Sequence, residues 1–195
     1  MKKILSIMLL LLATFTMQAQ TATAIFSKTL STFKAAGVVS AGYSMGSSKG
    51  TIVMNGSKFR VLANDLKAWY DGKTQWTYSK ATGEVNVTSP SPQELVMVNP
   101  LAAAQSIKAA YNMSATKTSA FYLLKLTPKR KSNVKSITLY ITKGGYQLSK
   151  AIYTTAKGST TLKISNYKTH ANYPASTFKF QKSLVPAGSE VVDLR

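Results

Sequence analysis

The residues with catalytic potential are few. Gly42-Tyr43-Ser44-Met45-Gly46 spells G-x-S-x-G, the nucleophile elbow in which a sharp strand-to-helix turn exposes the serine and aims helix amides at an oxyanion. The residues that follow, Ser47-Ser48-Lys49-Gly50, lead into another apolar run with strand character, so no helix is expected to serve Ser44. A triad would also need His170, the only histidine, and one of six carboxylates. Asp71 precedes a turn glycine, Glu94 occupies a helix-cap position, and Glu190 and Asp193 lie near the end of the chain. His170 stands in a polar stretch with no second histidine or cysteine beside it, so neither a metal site nor a catalytic set is expected. No Gly-rich phosphate loop or H-E-x-x-H pattern occurs. The reading is a non-enzyme without cofactor or metal.

The positioning elements begin behind a leader. Lys2-Lys3 precede the apolar run Ile4 to Ala13, and small residues follow at Ala19, Ala22 and Ala24. That is the layout of a cleaved secretory signal, too short to span a bilayer, with cleavage after 19 to 24. Residues 20–195 are expected to form one domain. No cysteine is present, which excludes lipidation at a new N-terminal cysteine and a disulfide framework. The 25 Lys and Arg against 6 Asp and Glu give a net charge of +19. Such a balance suits anionic partners, and export turns the expectation from nucleic acid to an anionic membrane surface or acidic headgroups. The run Lys129-Arg130-Lys131 is the candidate contact patch, with Lys135 nearby.

Thr23 to Ala36 has the period of a helix, with Phe26, Leu30 and Phe33 on one side and Gly37 as its stop. Short strands then meander. Asp71-Gly72 predicts a two-residue type I′ hairpin pairing Trp69 with Thr74 and placing Trp76 and Tyr78 on one face. Ser91-Pro92-Gln93-Glu94 is a capping box leading into a short turn with Leu95 and Val98. Asn99-Pro100 starts a helix carrying Leu101, Ala104, Ile107 and Tyr111. No ionisable side chain falls between Leu95 and Ile107, so these helices are expected to lie over something apolar. Strands resume from Ser119 onward. The sum is an α+β domain of ten or eleven antiparallel strands and three helices.

Alternation assigns one inward face to this sheet. In the first half it takes Met54, Phe59, Trp69, Trp76, Tyr78, Val85 and Val87. In the second half it takes Ile137, Leu139, Leu162, Ile164, Phe178 and Phe180. From the residues alone two layouts satisfy it: a sandwich, or a sheet curved around a cavity closed by the helices.

Two stretches carry a resemblance. Lys58-Phe59 with Asp71-Gly72-Lys73-Thr74 and Trp76-x-Tyr78, and the ending Phe178-x-Phe180 … Pro186-x-Gly188-x-x-Val191-x-Asp193, resemble LolA, the periplasmic carrier of outer-membrane lipoproteins. The missing lipidation cysteine separates the chain from LolB, the similar receptor that is itself a lipoprotein. The resemblance implies an incomplete, half β-barrel with a helical lid over a hydrophobic cavity for acyl chains. The inward residues named above would line the cavity, and Phe26, Leu30, Phe33, Leu95, Val98, Leu101 and Ile107 would form the lid. It also implies a monomeric periplasmic carrier that receives acylated lipoproteins from an inner-membrane ABC-type complex. Alternatives are a carrier of free lipid, or a basic membrane-docking protein with no internal ligand. The family's lid-latching arginine and following proline fall on Asn55 and Gly56, so that latch does not transfer, and Arg60 points away from Phe59.

Overall fold

The computed structural model describes residues 21–91, 94–95 and 100–195. The expected leader, Val98 and the side chain of Leu101 lie outside the described residues. Helix α1 covers 21–35 and α2 covers Pro100–Ala110. The strands are β1 (Val38–Met45), β2 (Ser48–Asn55), β3 (Lys58–Ala63), β4 (Leu66–Tyr70), β5 (Gln75–Ser79) and β6 (Val85–Thr88). After α2 come β7 (Tyr111–Lys117), β8 (Phe121–Pro128), β9 (Val134–Thr142), β10 (Leu148–Thr155), β11 (Gly158–Lys168) and β12 (Val191–Asp193).

The hydrogen-bonded order is β12-β6-β5-β4-β3-β2-β1-β11-β10-β9-β8-β7. This order is linear, so it does not close. The strands β1 to β6 pair antiparallel in succession, as do β7 to β10 and β1 with β11, whereas β12 runs parallel to β6. Among the described residues the strands number twelve rather than ten or eleven, and two complete helices stand where three were expected. Of the expected short turn after Ser91, only Glu94 and Leu95 are described; both are helical, and Leu95 N–H donates to Ser91 C=O at 3.1 Å. The capping box forms as anticipated. Ser91 N–H and O–H both donate to Glu94 Oε2 at 2.7 Å, and Glu94 N–H reaches back to Ser91 Oγ at 3.4 Å.

Three local expectations need correcting. Tyr111 opens β7 instead of extending α2: its neighbours Met113 and Ala115 alternate weakly, and pairing with β8 overrides the helical propensity around them. The stretch Thr177 to Gln181, expected as one of the later strands, is not a strand: Thr177 and Phe178 end the 310 turn Ala175–Phe178, and Lys179 to Gln181 link it to a second, Lys182–Leu184. The hairpin at Asp71 has a four-residue loop, 71–74, closed by Asp71 N–H donating to Thr74 C=O. Gly72 takes φ +105°, while Asp71 keeps a negative φ and uses its carboxylate to accept from the amides of Lys73 and Thr74 at 3.0 and 2.9 Å. Trp69 consequently pairs with Trp76, not Thr74. The slip is two residues, so side-chain parity survives.

Within the span expected as one domain, the chain falls into two compact units. The first takes in the described residues up to Thr32 together with Ala110–Thr161. The second takes in Phe33–Ala109 and Leu162–Arg195. In the first unit, the β8–β9 register sets Leu124 beside Leu139 and Leu126 beside Ile137 on one face. Ala22, Ile25 and Phe26 of α1 are buried in the same unit.

Candidate lipid-binding face

The second unit has an apolar layer on each side of its sheet, and the two are finished differently. On one side, Trp69, Tyr78 and Val85 form a buried cluster with Trp76 and Leu62 against them. Val87, opposite Trp76, is buried on the same side. The chain itself seals this layer: Phe180, Leu184 and Val185 pack on it, Phe180 meeting Trp69 edge-to-face at 5.4 Å. Trp69 and Val85 are 0% exposed. Lys67 fastens the cover by donating to the Leu184 carbonyl, its ammonium 5.6 Å from the Tyr78 ring.

Arg60 belongs to this sealed side, opposite Trp69 on the next strand. Its guanidinium donates to Gln181 Oε1 at 3.4 Å and lies 5.6 Å from the Tyr173 ring. Burial lowers its pKa, with Tyr173 opposing. Arg60 Nε and Trp69 Nε1 are buried without hydrogen-bond partners. Arg60 thus holds the C-terminal segment and, as its parity indicated, faces away from Phe59.

On the opposite side, strand register builds a continuous apolar row. Val39 pairs with Met54, Met54 with Phe59, and Phe59 with Tyr70. One step along, Ala41 pairs with Ile52, Ile52 with Val61, and Val61 with Ala68. Met54, Phe59, Ala68 and Tyr70 are buried together; Phe33 of α1 and Leu95 pack on them, and Ile52 and Val61 stay partly open. The row continues along β1, where Tyr43 pairs with Ile164 and Met45 with Leu162. Met45 is 42% exposed. Among the described residues, the apolar side chains packed on this cluster from outside the sheet are the helical Phe33 and Leu95, and part of the row stays only partly buried.

The sequence-predicted lining therefore divides. Met54, Phe59, Leu162 and Ile164 lie on the helix-covered side. Trp69, Trp76, Tyr78, Val85, Val87 and Phe180 lie on the sealed side, a correction to the single inward face. Each parity of β3 and β4 carries a large apolar residue, Phe59 against Leu62 and Tyr70 against Trp69, so alternation alone did not tell the layers apart. Phe178 is buried in a 310 turn that packs on β3 and β4. Ile137 and Leu139 belong to the apolar face of the first unit. Of the expected lid, Phe26 is buried, Phe33 and Leu95 pack on the Phe59 cluster, and Leu30 and Ile107 are half-buried. Alternation missed Ile52, Val61, Ala68 and Tyr70; the cross-strand partners of Phe59 would have found them.

Ser44 sits within β1, opposite Lys49, and Gly46-Ser47 turn the chain into β2. The strand-to-helix turn that an elbow requires is lacking there. Among the described residues no group of three or more His, Cys, Asp or Glu is placed to hold a metal. The basic run Lys129-Arg130-Lys131 is exposed between β8 and β9.

The first unit contains a pocket of about 340 Å³, lined among the described residues by Thr21, Ala24, Ile25 and Lys28 of α1 and by Lys117, Tyr122 and Tyr146. Tyr122 and Tyr146 stack at 5.5 Å. No described helix is long and apolar enough to cross a membrane.

Comparison with solved structures gives a TM-score of 0.61 to an uncharacterized conserved protein from Thermus thermophilus, at 15% identity over 89% of this chain and 99% of that one. The Mycobacterium tuberculosis lipoprotein LppX is similar at a TM-score of 0.48 and 14% identity, over 80% and 99% of the two chains. Comparison with curated proteins finds no match. The family model for outer membrane lipoprotein carrier protein LolA matches residues 12–159, more than half of the sequence. The chain belongs to the LolA family of outer membrane lipoprotein carriers.

Proposed function

We propose that this protein is a non-catalytic periplasmic carrier that takes the acyl chains of lipoproteins on the Phe59 side of its second unit and shuttles them from inner to outer membrane. The observation that carries the reading is the contrast between two apolar layers of one sheet. One is covered by Phe180, Leu184 and Val185 of the C-terminal segment, whereas the other has Phe33 and Leu95 packed on it, keeps Ile52 and Val61 partly buried and runs on to the exposed Met45. A membrane anchor gains about 0.8 kcal/mol per buried methylene, so a soluble carrier must offer comparable apolar surface. A cover made of side chains on helices can lift to release its cargo without unfolding the sheet. Membership of the LolA family supports the same reading.

Native mass spectrometry of protein purified from its own periplasm tests it. An acylated species bound at one per chain, exchangeable with added lipoprotein, is expected. An apo mass with no uptake on challenge refutes it. Uptake of free lipid but not lipoprotein would identify a carrier of free lipid.

The second reading is docking on anionic membrane, favoured by one observation. All six Asp and Glu fall in the second unit, while the described part of the first carries ten Lys and Arg and no carboxylate side chain. Vesicle binding that disappears at high salt, by protein that never takes up lipid, would favour it.

A further inference from the structure

The pocket of the first unit has a lining that the carrier reading does not use. It is open, about 340 Å³, and framed by α1 on one side and by Lys117, Tyr122 and Tyr146 on the other. Lys28 and Lys117 are exposed at its edge, and Tyr122 and Tyr146 are half-buried within it. Backbone geometry brings the tyrosines there. Tyr122 lies on β8 opposite Lys117, so alternation turns both to one face. Tyr146 takes φ +50°, an uncommon conformation for a bulky residue, held by its amide donating to the Thr142 carbonyl at 2.9 Å. That backbone lays its ring on Tyr122.

We propose that this pocket is a binding site for a phosphate group, carried by a lipid headgroup or free in solution. Its lining contains two ammonium groups, two phenolic hydroxyls and no carboxylate. Lys143 stands just behind, its ammonium 5.8 Å from the Tyr122 ring. No carboxylate side chain exists anywhere in the described part of this unit to neutralise these cations. The hydrogen bond with Tyr122 raises the pKa of the Tyr146 hydroxyl, and Lys28 and Lys117 both oppose that rise. Ammonium groups serve phosphate as point charges, and hydroxyl donors from other directions suit a tetrahedral group with several oxygens. A planar carboxylate is better matched by the fork of an arginine, which this lining lacks. The volume exceeds that of a phosphate and leaves room for the glycerol of a headgroup. The lipid-borne source rests on the carrier reading, with the headgroup held here; the free-phosphate source does not.

Isothermal titration calorimetry on the purified chain separates the possibilities with three probes: inorganic phosphate, dihexanoyl phosphatidylglycerol and dihexanoylglycerol. Phosphatidylglycerol is expected to bind at least about tenfold more tightly than dihexanoylglycerol, with inorganic phosphate binding weakly. Lys28→Ala/Lys117→Ala should erase that difference and leave dihexanoylglycerol affinity unchanged. Tyr146→Phe should weaken phosphatidylglycerol binding severalfold. Lys125→Ala/Lys157→Ala removes the same charge from exposed sites outside the pocket and should change little. Circular dichroism of each variant confirms folding, which exposed lysines are not expected to disturb. If the control pair weakens binding as much as the pocket pair, or the pocket pair preserves the tenfold preference, the site is refuted. If both diacyl compounds bind equally and the pocket pair has no effect, the pocket inference fails and the carrier reading stands. If neither diacyl compound binds but phosphate does, and the pocket pair abolishes it, the site stands and the carrier reading fails.

Discussion

Replacing Trp69 with phenylalanine separates a structural role from a lipid-lining one. The indole is 0% exposed, set among Tyr78, Val85 and Leu62 and closed over by Phe180. Truncation to alanine would cost about 3–5 kcal/mol, a large share of the roughly 5–15 kcal/mol by which domains are stable, too severe a change for a binding assay. Phenylalanine keeps one ring and its edge contact with Phe180, leaving a cavity where the second ring stood. Trp69 Nε1 has no hydrogen-bond partner, so no bond is lost with it. The expected cost is about 1–2 kcal/mol. For a chain of this size each kcal/mol moves the melting temperature by about 2–4 °C, giving a fall of about 2–8 °C. Differential scanning calorimetry reads that fall, and a fluorescent acyl probe titrated at 25 °C reads lipid affinity. The sealed side predicts a lower melting temperature with an unchanged Kd. A tenfold weaker Kd at an unchanged melting temperature would place Trp69 in the lipid cavity and refute the division of the two faces.

Three further outcomes are expected. Ile52→Asp sets a carboxylate among the partly open apolar residues beside Val61 and Ala68; it should raise the Kd of the acyl probe at least about tenfold in folded protein, and an unchanged Kd would remove Ile52 from the binding surface. Asp71→Ala removes two amide bonds from the hairpin loop and should lower stability by about 1 kcal/mol at neutral pH. Burial pushes the Asp71 pKa up, but the amides of Thr74 and Lys73 bring it below its usual 3.8, so its contribution is present above that value and is lost as pH falls through the depressed one. The stability gap between wild type and Asp71→Ala should therefore close in strong acid; a gap constant with pH would exclude the carboxylate as its source. Ser91→Ala should speed hydrogen exchange at the Glu94 and Leu95 amides by the equivalent of about 0.5–2 kcal/mol while leaving the global melt in place. Equal exchange in both proteins would show that the cap is not formed in solution.

What was legible in the sequence was mostly local. The Ser91–Glu94 cap follows from four consecutive residues, and it forms. The Asp71 hairpin was visible too, and its two-residue error in register did not change which side chains share a face. The side of the sheet on which each apolar residue sits depends on a distant segment. Phe59 and Trp69 belong to strands with large apolar residues at both parities, and the packing of Phe180, Leu184 and Val185, more than a hundred residues later, marks which layer is sealed. Strand β7 was hidden because α2 passes into it at Tyr111 with no glycine or proline to mark the change. The pocket joins Lys28, Lys117, Tyr122 and Tyr146 from separate elements, so no single stretch announces it. One clue was present: from Leu95 to Ser189 the sequence has no acidic residue, and most of the first unit lies inside that interval.

The most direct test of the central claim is photo-crosslinking with a palmitoyl chain carrying a terminal diazirine, followed by mass-spectrometric mapping of the adducts. Adducts are expected on Ile52, Met54, Phe59 or Val61. Adducts on Trp76, Tyr78 or Val87 would contradict it, as would protein that carries no adduct at saturating probe.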